Sequence, residues 1–239
     1  MIAVICAMKQ ERDALLKMMK DVKVVKGKRL LYLGKELDNE YYIGTLEDKE
    51  VVLSRCGIGE IYAVMSTMLM IEKFKPELLI NLGCAGSLNE NVHVNDIVVA
   101  DRIANWRVDV PGWKRNIDDP TCSFPCDLSV TAIAKKIRGK QKIHIGNIVS
   151  ADEFIYKKSQ VKEIKKHFPD ALCGEMEGCA VAGTAYAFET PVAVIRSISD
   201  ETLIQGDFKQ FDFNLEKVCA SAARVCKQII KRFGDEKVV

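Results

Sequence analysis

The sequence has no apolar run long enough to cross a membrane. Its N-terminal stretch, Met1 to Met8, turns charged at Lys9, well short of the ~20 residues a spanning helix needs. No basic segment precedes that run as in a secretory signal, so a cytoplasmic protein with no membrane contact is expected. Excess charge of one sign is also missing. Lys and Arg number 35 against 33 Asp and Glu, a net of +2. The pairs Lys157-Lys158 and Lys165-Lys166 read as solvated helix faces, which excludes a nucleic-acid partner. There are three histidines, and His93, His144 and His167 show no ligand spacing, so neither a metal nor another cofactor is expected. The nine cysteines are odd in number and irregular in spacing, which argues against a disulfide framework. Cys6, Cys56, Cys84, Cys179, Cys219 and Cys226 sit in or beside apolar runs, where a thiol behaves as a small hydrophobe. Cys122 and Cys126 are the one close pair in a polar loop, a weak metal or redox signal.

What is present is a globular balance, 48% hydrophobic and 28% charged, without linker, repeat or low-complexity tract. Residues 1–239 therefore read as a single domain. The periodicity predicts a strand over 2–8, a helix over 9–20, antiparallel strands within 28–56 turning at Gly34 and at 47–49, and a helix over 60–74 that Pro76 ends. A strand at 78–82 leads into a loop, Gly83-Cys84-Ala85-Gly86-Ser87. A strand at 96–100 opens a long irregular excursion, 101–127, rich in Pro and Gly. Helix 128–138, strand 142–150, helices 157–167 and 177–188, strand 191–198 and helix 210–233 follow. Buried strands alternating with amphipathic helices predict an α/β fold with a central mixed sheet covered on both faces.

Ligands in such folds bind beyond the carboxyl ends of strands, so the residues there carry the functional reading. Asp200 follows strand 191–198. Burial there would raise its pKa toward that of a general acid, but a turn or capping Asp fits the position equally. Glu11 lies in a first helical turn, where the helix dipole alone favours an acid. Glu175 and Glu177 open a helix two residues apart; they diverge on a helix but share a face if the segment is extended, so they play different parts, and a helix N-terminus enriched in acid fits them as well. One of them fits a carboxylate that accepts hydrogen bonds from vicinal sugar hydroxyls. Gly57-Ile58-Gly59 reads either as a tight turn or as an anion- or sugar-binding helix start, and Phe154 as either core or a stacking face for a base. Together these residues support a small-molecule site rich in carboxylates. That suits glycosidic chemistry, in which one acid assists the leaving group and a base activates water, and other proton transfers as well.

Several segments, in order along nearly the whole chain, resemble the 5′-methylthioadenosine/S-adenosylhomocysteine nucleosidases of the nucleoside phosphorylase/hydrolase superfamily. They are Ile5 to Glu11, Ser54 to Gly59, Phe74 to Gly86, Asp96 to Val99, Gly146 to Asp152, Glu175 to Glu177 and Arg196 to Asp200. The resemblance implies a nucleoside phosphorylase-like fold and hydrolysis of an adenine nucleoside, with a homodimer and a place in methionine salvage. It also implies roles. Asp200 protonates adenine N7, with Ser199 orienting it, and Glu11 activates water. Glu177 binds the ribose hydroxyls and Met176 packs on sugar and base. Phe154 stacks on adenine, the backbone of Ile155 reads its edge, and Ala85 and Gly86 line the floor. The chain departs from the family pattern at Lys9-Gln10, where acids are usual, at Cys84 and Ala151, and most of all over 102–126. That last segment serves in the family as the 5′-substituent pocket, partly across a dimer interface. The nearest rival is a purine nucleoside phosphorylase. Phosphate needs cationic anchors, whereas this chain has Asn81 and Glu11 at the corresponding places, so hydrolysis is favoured. A hydrolase of another nucleoside, such as futalosine, is the lesser alternative.

Overall fold

The computed structural model describes residues 1–28, 30–32, 35–37, 40–202 and 208–235, so the turn expected at Gly34 lies outside the described residues. The elements run β1 (Ile2–Cys6), α1 (Lys9–Leu16), β2 (Lys20–Lys26), β3 (Leu30–Tyr32), β4 (Lys35–Leu37), β5 (Glu40–Leu46), β6 (Lys49–Arg55), α2 (Glu60–Phe74), β7 (Leu78–Ser87), β8 (Ile97–Asn105), β9 (Ser123–Pro125), α3 (Leu128–Lys136), β10 (Ile143–Ser150), α4 (Lys158–His167), β11 (Cys173–Glu175), α5 (Gly178–Ala187), β12 (Val192–Glu201) and α6 (Phe208–Arg232).

The central strands are apolar along their length because both faces are covered. Successive side chains point to opposite faces. From β1, Ile2, Val4 and Cys6 pack with Leu15 of α1, Val130 and Ile133 of α3 and Ala222, Cys226 and Ile229 of α6. Ala3 and Ile5 pack on the other side with Ala63 and Met70 of α2 and Val181 and Ala185 of α5. Each buried Val, Leu or Ile contributes roughly 1.5–3 kcal/mol by removal from water. The mixed sheet and its two helical layers are therefore as the sequence predicts.

The strand order is β11-β10-β8-β12-β7-β1-β6-β5-β2, with β9 added to β8, while β3 and β4 form a separate hairpin. β1 lies parallel to β6 and β7, and β12 parallel to β7. β11 pairs with β10 and also folds back antiparallel onto β7, with Cys173 opposite Ser87 and Gly174 opposite Gly86. The pairings β7–β12–β8–β10–β11–β7 thus close a ring. This closure brings the chain after β11 to the ends of β7 and β12, which are distant in sequence.

Several boundaries differ from expectation. α1 stops at Leu16, and β2 follows as an edge strand on β5, with Asp21 at φ 53° inside a register shift between Lys20 and Lys23. The three lysines of that strand, Lys20, Lys23 and Lys26, blunt an edge that could otherwise pair with another chain. β8 runs on to Asn105 and β9 returns along it, Arg102 opposite Pro125 and Ala104 opposite Ser123, so the irregular stretch shortens to 106–122. It is pinned by the buried Trp106, by Arg115 donating to the Trp106 carbonyl at 2.9 Å, and by Asp119 accepting the backbone N–H of Lys114, Arg115 and Thr121. Cys122 and Cys126 are buried against this frame instead of lying in a polar loop.

Candidate active site

β7 does not break into a glycine loop at Gly83 but continues as strand to Ser87. Its glycines clear space for two carboxylates. A Cβ on Gly83 would lie 2.7 Å from Glu11 Oε1, and one on Gly86 would lie 3.0 Å from Asp200 Oδ2 and 2.9 Å from Thr202 Oγ1. At those distances a side chain would displace the acid.

Glu11 reaches β7 because α1 begins directly after β1. Its Oε2 accepts the N–H of Ala7 and Met8 at 3.1 and 2.8 Å, and its Oε1 accepts the N–H of Cys84 at 3.0 Å. It therefore does cap its own helix, as the dipole argument allows, and it also crosses to the neighbouring strand. Burial pushes its carboxyl above the ordinary carboxylate value, against the opposing pull of these donors and of the Arg196 charge.

Asp200 lies within β12, not after it. The register passes from Ile198 opposite Ala85 to Asp200 opposite Gly86, so Ser199 is the extra residue of a β-bulge. A bulge re-aims side chains, and here both Ser199 and Asp200 line one cavity. Ser199 Oγ stands 2.8 Å from Asp200 Oδ1 and 3.2 Å from the Ala85 carbonyl, while Asn214 of α6 donates to the Ser199 carbonyl at 2.9 Å.

Glu175 and Glu177 take different parts, as their spacing implies. Glu175 ends β11 and caps α5, accepting the N–H of Glu177 and Gly178 at 3.0 and 2.8 Å. It also pairs with the buried guanidinium of Arg196 at 2.5 Å. Burial pushes Glu175 up, but the Arg196 charge and these donors outweigh it and hold the carboxyl below its usual range. Glu177 accepts the Gly59 N–H at 2.8 Å. Burial, and next the negative charge of Glu175, push it up to about 8. The Gly57-Ile58-Gly59 turn has φ of 90° and 104° at its glycines. Its helix-start N–H groups are filled by protein, Gly59 by Glu177 and Glu60 by Asp152 Oδ1 at 2.6 Å. The anion-binding reading of this turn is thereby displaced by carboxylates of the chain itself.

All nine residues singled out from sequence line one cavity of about 290 Å³: Glu11, Ala85, Gly86, Phe154, Ile155, Met176, Glu177, Ser199 and Asp200. Phe154 stands edge-on to Phe211 of α6 with ring centroids 6.0 Å apart. Sequence reasoning missed Glu153, Phe211, Asp212 and Leu215, which also line it, and the part played by Arg196. A charge inside an otherwise apolar strand was the available signal for Arg196, because a buried charge must be paired. Its guanidinium also donates to the Asn81 carbonyl at 3.1 Å and to Asn81 Oδ1. Six of the lining residues are carboxylates (Glu11, Glu153, Glu175, Glu177, Asp200 and Asp212), and none of the described lining residues is Lys, Arg or His.

A model of the phosphorylase superfamily matches residues 1–231. A 5′-methylthioadenosine/S-adenosylhomocysteine nucleosidase from Maridesulfovibrio salexigens is 32% identical over 80% of this chain and 85% of its own length. One from Staphylococcus aureus is 34% identical over 81% and 86%. The chain belongs to the 5′-methylthioadenosine/S-adenosylhomocysteine nucleosidase family. Among solved nucleosidases, that of Neisseria meningitidis, in complex with methylthio-immucillin-A, superposes with a TM-score of 0.82 and 32% identity, covering 97% of this chain and 99% of that one. The nucleosidase fold thus extends over nearly the whole chain, including the 102–126 segment in which the sequence departs most from the family pattern.

Proposed function

We propose that this protein hydrolyses the N-glycosidic bond of 5′-methylthioadenosine and S-adenosylhomocysteine, releasing adenine and the 5′-thio-substituted ribose. The observation that carries this reading is the charge of the cavity, six carboxylates and no cation among its described lining residues. Departure of adenine leaves positive charge on the ribosyl group, which carboxylates stabilise. An attacking phosphate would need cationic donors, and the nearest buried cation, Arg196, is already engaged by Glu175 and Asn81.

In this reading Asp200, oriented by Ser199, donates its proton to adenine N7, so that the base leaves neutral. Water attacks C1′ and Glu11 takes its proton. Acid catalysis of this kind is typically worth ~10²–10⁴-fold. Glu177 accepts from the ribose hydroxyls, Met176 packs on sugar and base, Phe154 stacks on adenine and the Ile155 main chain reads its edge. Ala85 and Gly86 form the floor. The exposed apolar side chains of Ile61, Met68, Tyr186 and Phe188 on and beside α2 and α5 support a homodimer through that face. A cytoplasmic place in methionine salvage accords with the substrate.

Incubation with methylthioadenosine, with and without inorganic phosphate, tests the reaction type. Free methylthioribose at equal rates in both is the expected product. Strict dependence on phosphate, with a sugar phosphate formed, would make the protein a phosphorylase.

A further inference from the structure

The segment between β10 and α4 carries Phe154 and Ile155, and its residues 152–156 lie in neither sheet nor helix. Its start is tied by Asp152 Oδ1, which accepts the Glu60 N–H at 2.6 Å, and the peptide groups around Ile155 are held by one side-chain amide. Gln160, in the first turn of α4 and buried, accepts the N–H of Tyr156 at 3.0 Å and of Lys157 at 2.8 Å through Oε1. Through Nε2 it donates to the Phe154 carbonyl at 3.0 Å and to Glu153 Oε1 at 2.8 Å. The partners fix the amide orientation, since two are pure donors and two pure acceptors. Glu153 is held in turn by Arg107 Nε at 2.6 Å, which ties the 106–122 stretch to the same clamp. The residue between the clamped groups is Ile155. Its side chain is buried against Gly174, where a Cβ would come within 2.4 Å. Neither its N–H nor its C=O has a hydrogen-bond partner among the described residues.

We propose that Gln160 is a positioning residue for base recognition, its saturated amide fixing the peptide groups on either side of Ile155 so that the Ile155 N–H and C=O face the ligand as a set donor–acceptor pair. This inference rests on the adenine reading of the site. A donor beside an acceptor complements the N1 and 6-amino edge of a 6-aminopurine and mismatches a 6-oxopurine, which offers a donor at N1 and an acceptor at position 6.

The test compares the unsubstituted protein with Gln160→Glu and Gln160→Leu, measuring kcat and KM for methylthioadenosine and for its 6-oxo analogue, methylthioinosine. Gln160→Glu keeps an oxygen for the Tyr156 and Lys157 N–H groups but cannot donate to the Phe154 carbonyl, so it separates capping of α4 from control of the loop. Both variants are expected to raise KM for the 6-amino substrate about 10-fold with kcat within about 3-fold, and to lower the 6-amino over 6-oxo preference in kcat/KM. Wild-type KM and preference in Gln160→Glu would overturn the proposal and leave Gln160 a helix cap. A second measurement needs no variant. In the unsubstituted protein the Tyr156 and Lys157 amides should exchange slowly with solvent, and the Ile155 amide should exchange quickly until adenine is added. Fast exchange at Tyr156 and Lys157 would overturn the clamp. An unsubstituted protein inactive on methylthioadenosine but with those two amides protected would instead overturn the adenine reading and leave the clamp standing.

Discussion

On one wall of the cavity Glu11 and Asp200 stand against β7 of the closed ring of strands. On another, Phe154 and Ile155 lie on a segment outside sheet and helix, whose peptide groups Gln160 holds. The first wall has its positions set by backbone: three N–H groups on Glu11, a bulge under Asp200, and two glycines in β7 spaced to admit both acids. The second is set by side chains, Gln160 and Glu153 below and Phe211 across from Phe154. The contrast teaches a division of labour. Proton transfer needs sub-ångström placement, which a sheet supplies, whereas base recognition is carried by a loop on that scaffold whose peptide groups a side chain holds.

The division can be broken from either side, and the sheet side should break hardest. Glu11→Gln removes the base that activates water and should lower kcat by ~10²–10⁴-fold with KM little changed. Steady-state kinetics on methylthioadenosine measures this. Gly83→Ala keeps both acidic residues but puts a Cβ 2.7 Å from Glu11 Oε1, which must move aside, and a displacement of about 1 Å can cost ~10²-fold in kcat. The loop side should show the opposite pattern. Phe154→Ala should raise KM about 10-fold, the loss of one stacking face, with kcat nearly kept.

The smallest effect concerns stability and Glu177. Its carboxyl is raised in the folded protein from 4.5 to about 8. Protons are therefore bound more tightly in the folded than in the unfolded chain. The stability this contributes is present in full below about pH 4.5 and is lost as pH rises through 8. Between pH 5 and 8 the melting temperature should fall, and in Glu177→Gln it should fall less, by about 2–4 °C for each kcal/mol of linkage removed. Parallel melting curves across that range would read the difference.

Much of this was legible in the sequence, for definite reasons. The strands of the core read as continuous apolar runs because both faces are buried, and the helices as amphipathic periods. The carboxylates stood out because acids at strand ends are few. Other features were hidden by the physics that makes them. Gly83 and Gly86 look like loop glycines because sequence does not distinguish a turn from a close approach to a neighbouring side chain. The bulge at Ser199 is a matter of register between β12 and β7, which no local pattern encodes. β2 was masked because its lysines suit a helix end as well as an edge strand. Gln160 reads as an ordinary polar residue on a charged helix, and its importance comes from four partners that only the folded loop brings together.

The measurement that bears most directly on this account is a paired titration and single-turnover experiment on Asp200→Asn. Asparagine keeps the size of the side chain and the reach to Ser199 but cannot supply an acid proton. The account predicts a dissociation constant for methylthioadenosine within about 3-fold of the unsubstituted protein, with adenine release slowed at least ~100-fold. Turnover within a few fold of the unsubstituted rate would contradict the assignment of Asp200 as the proton donor.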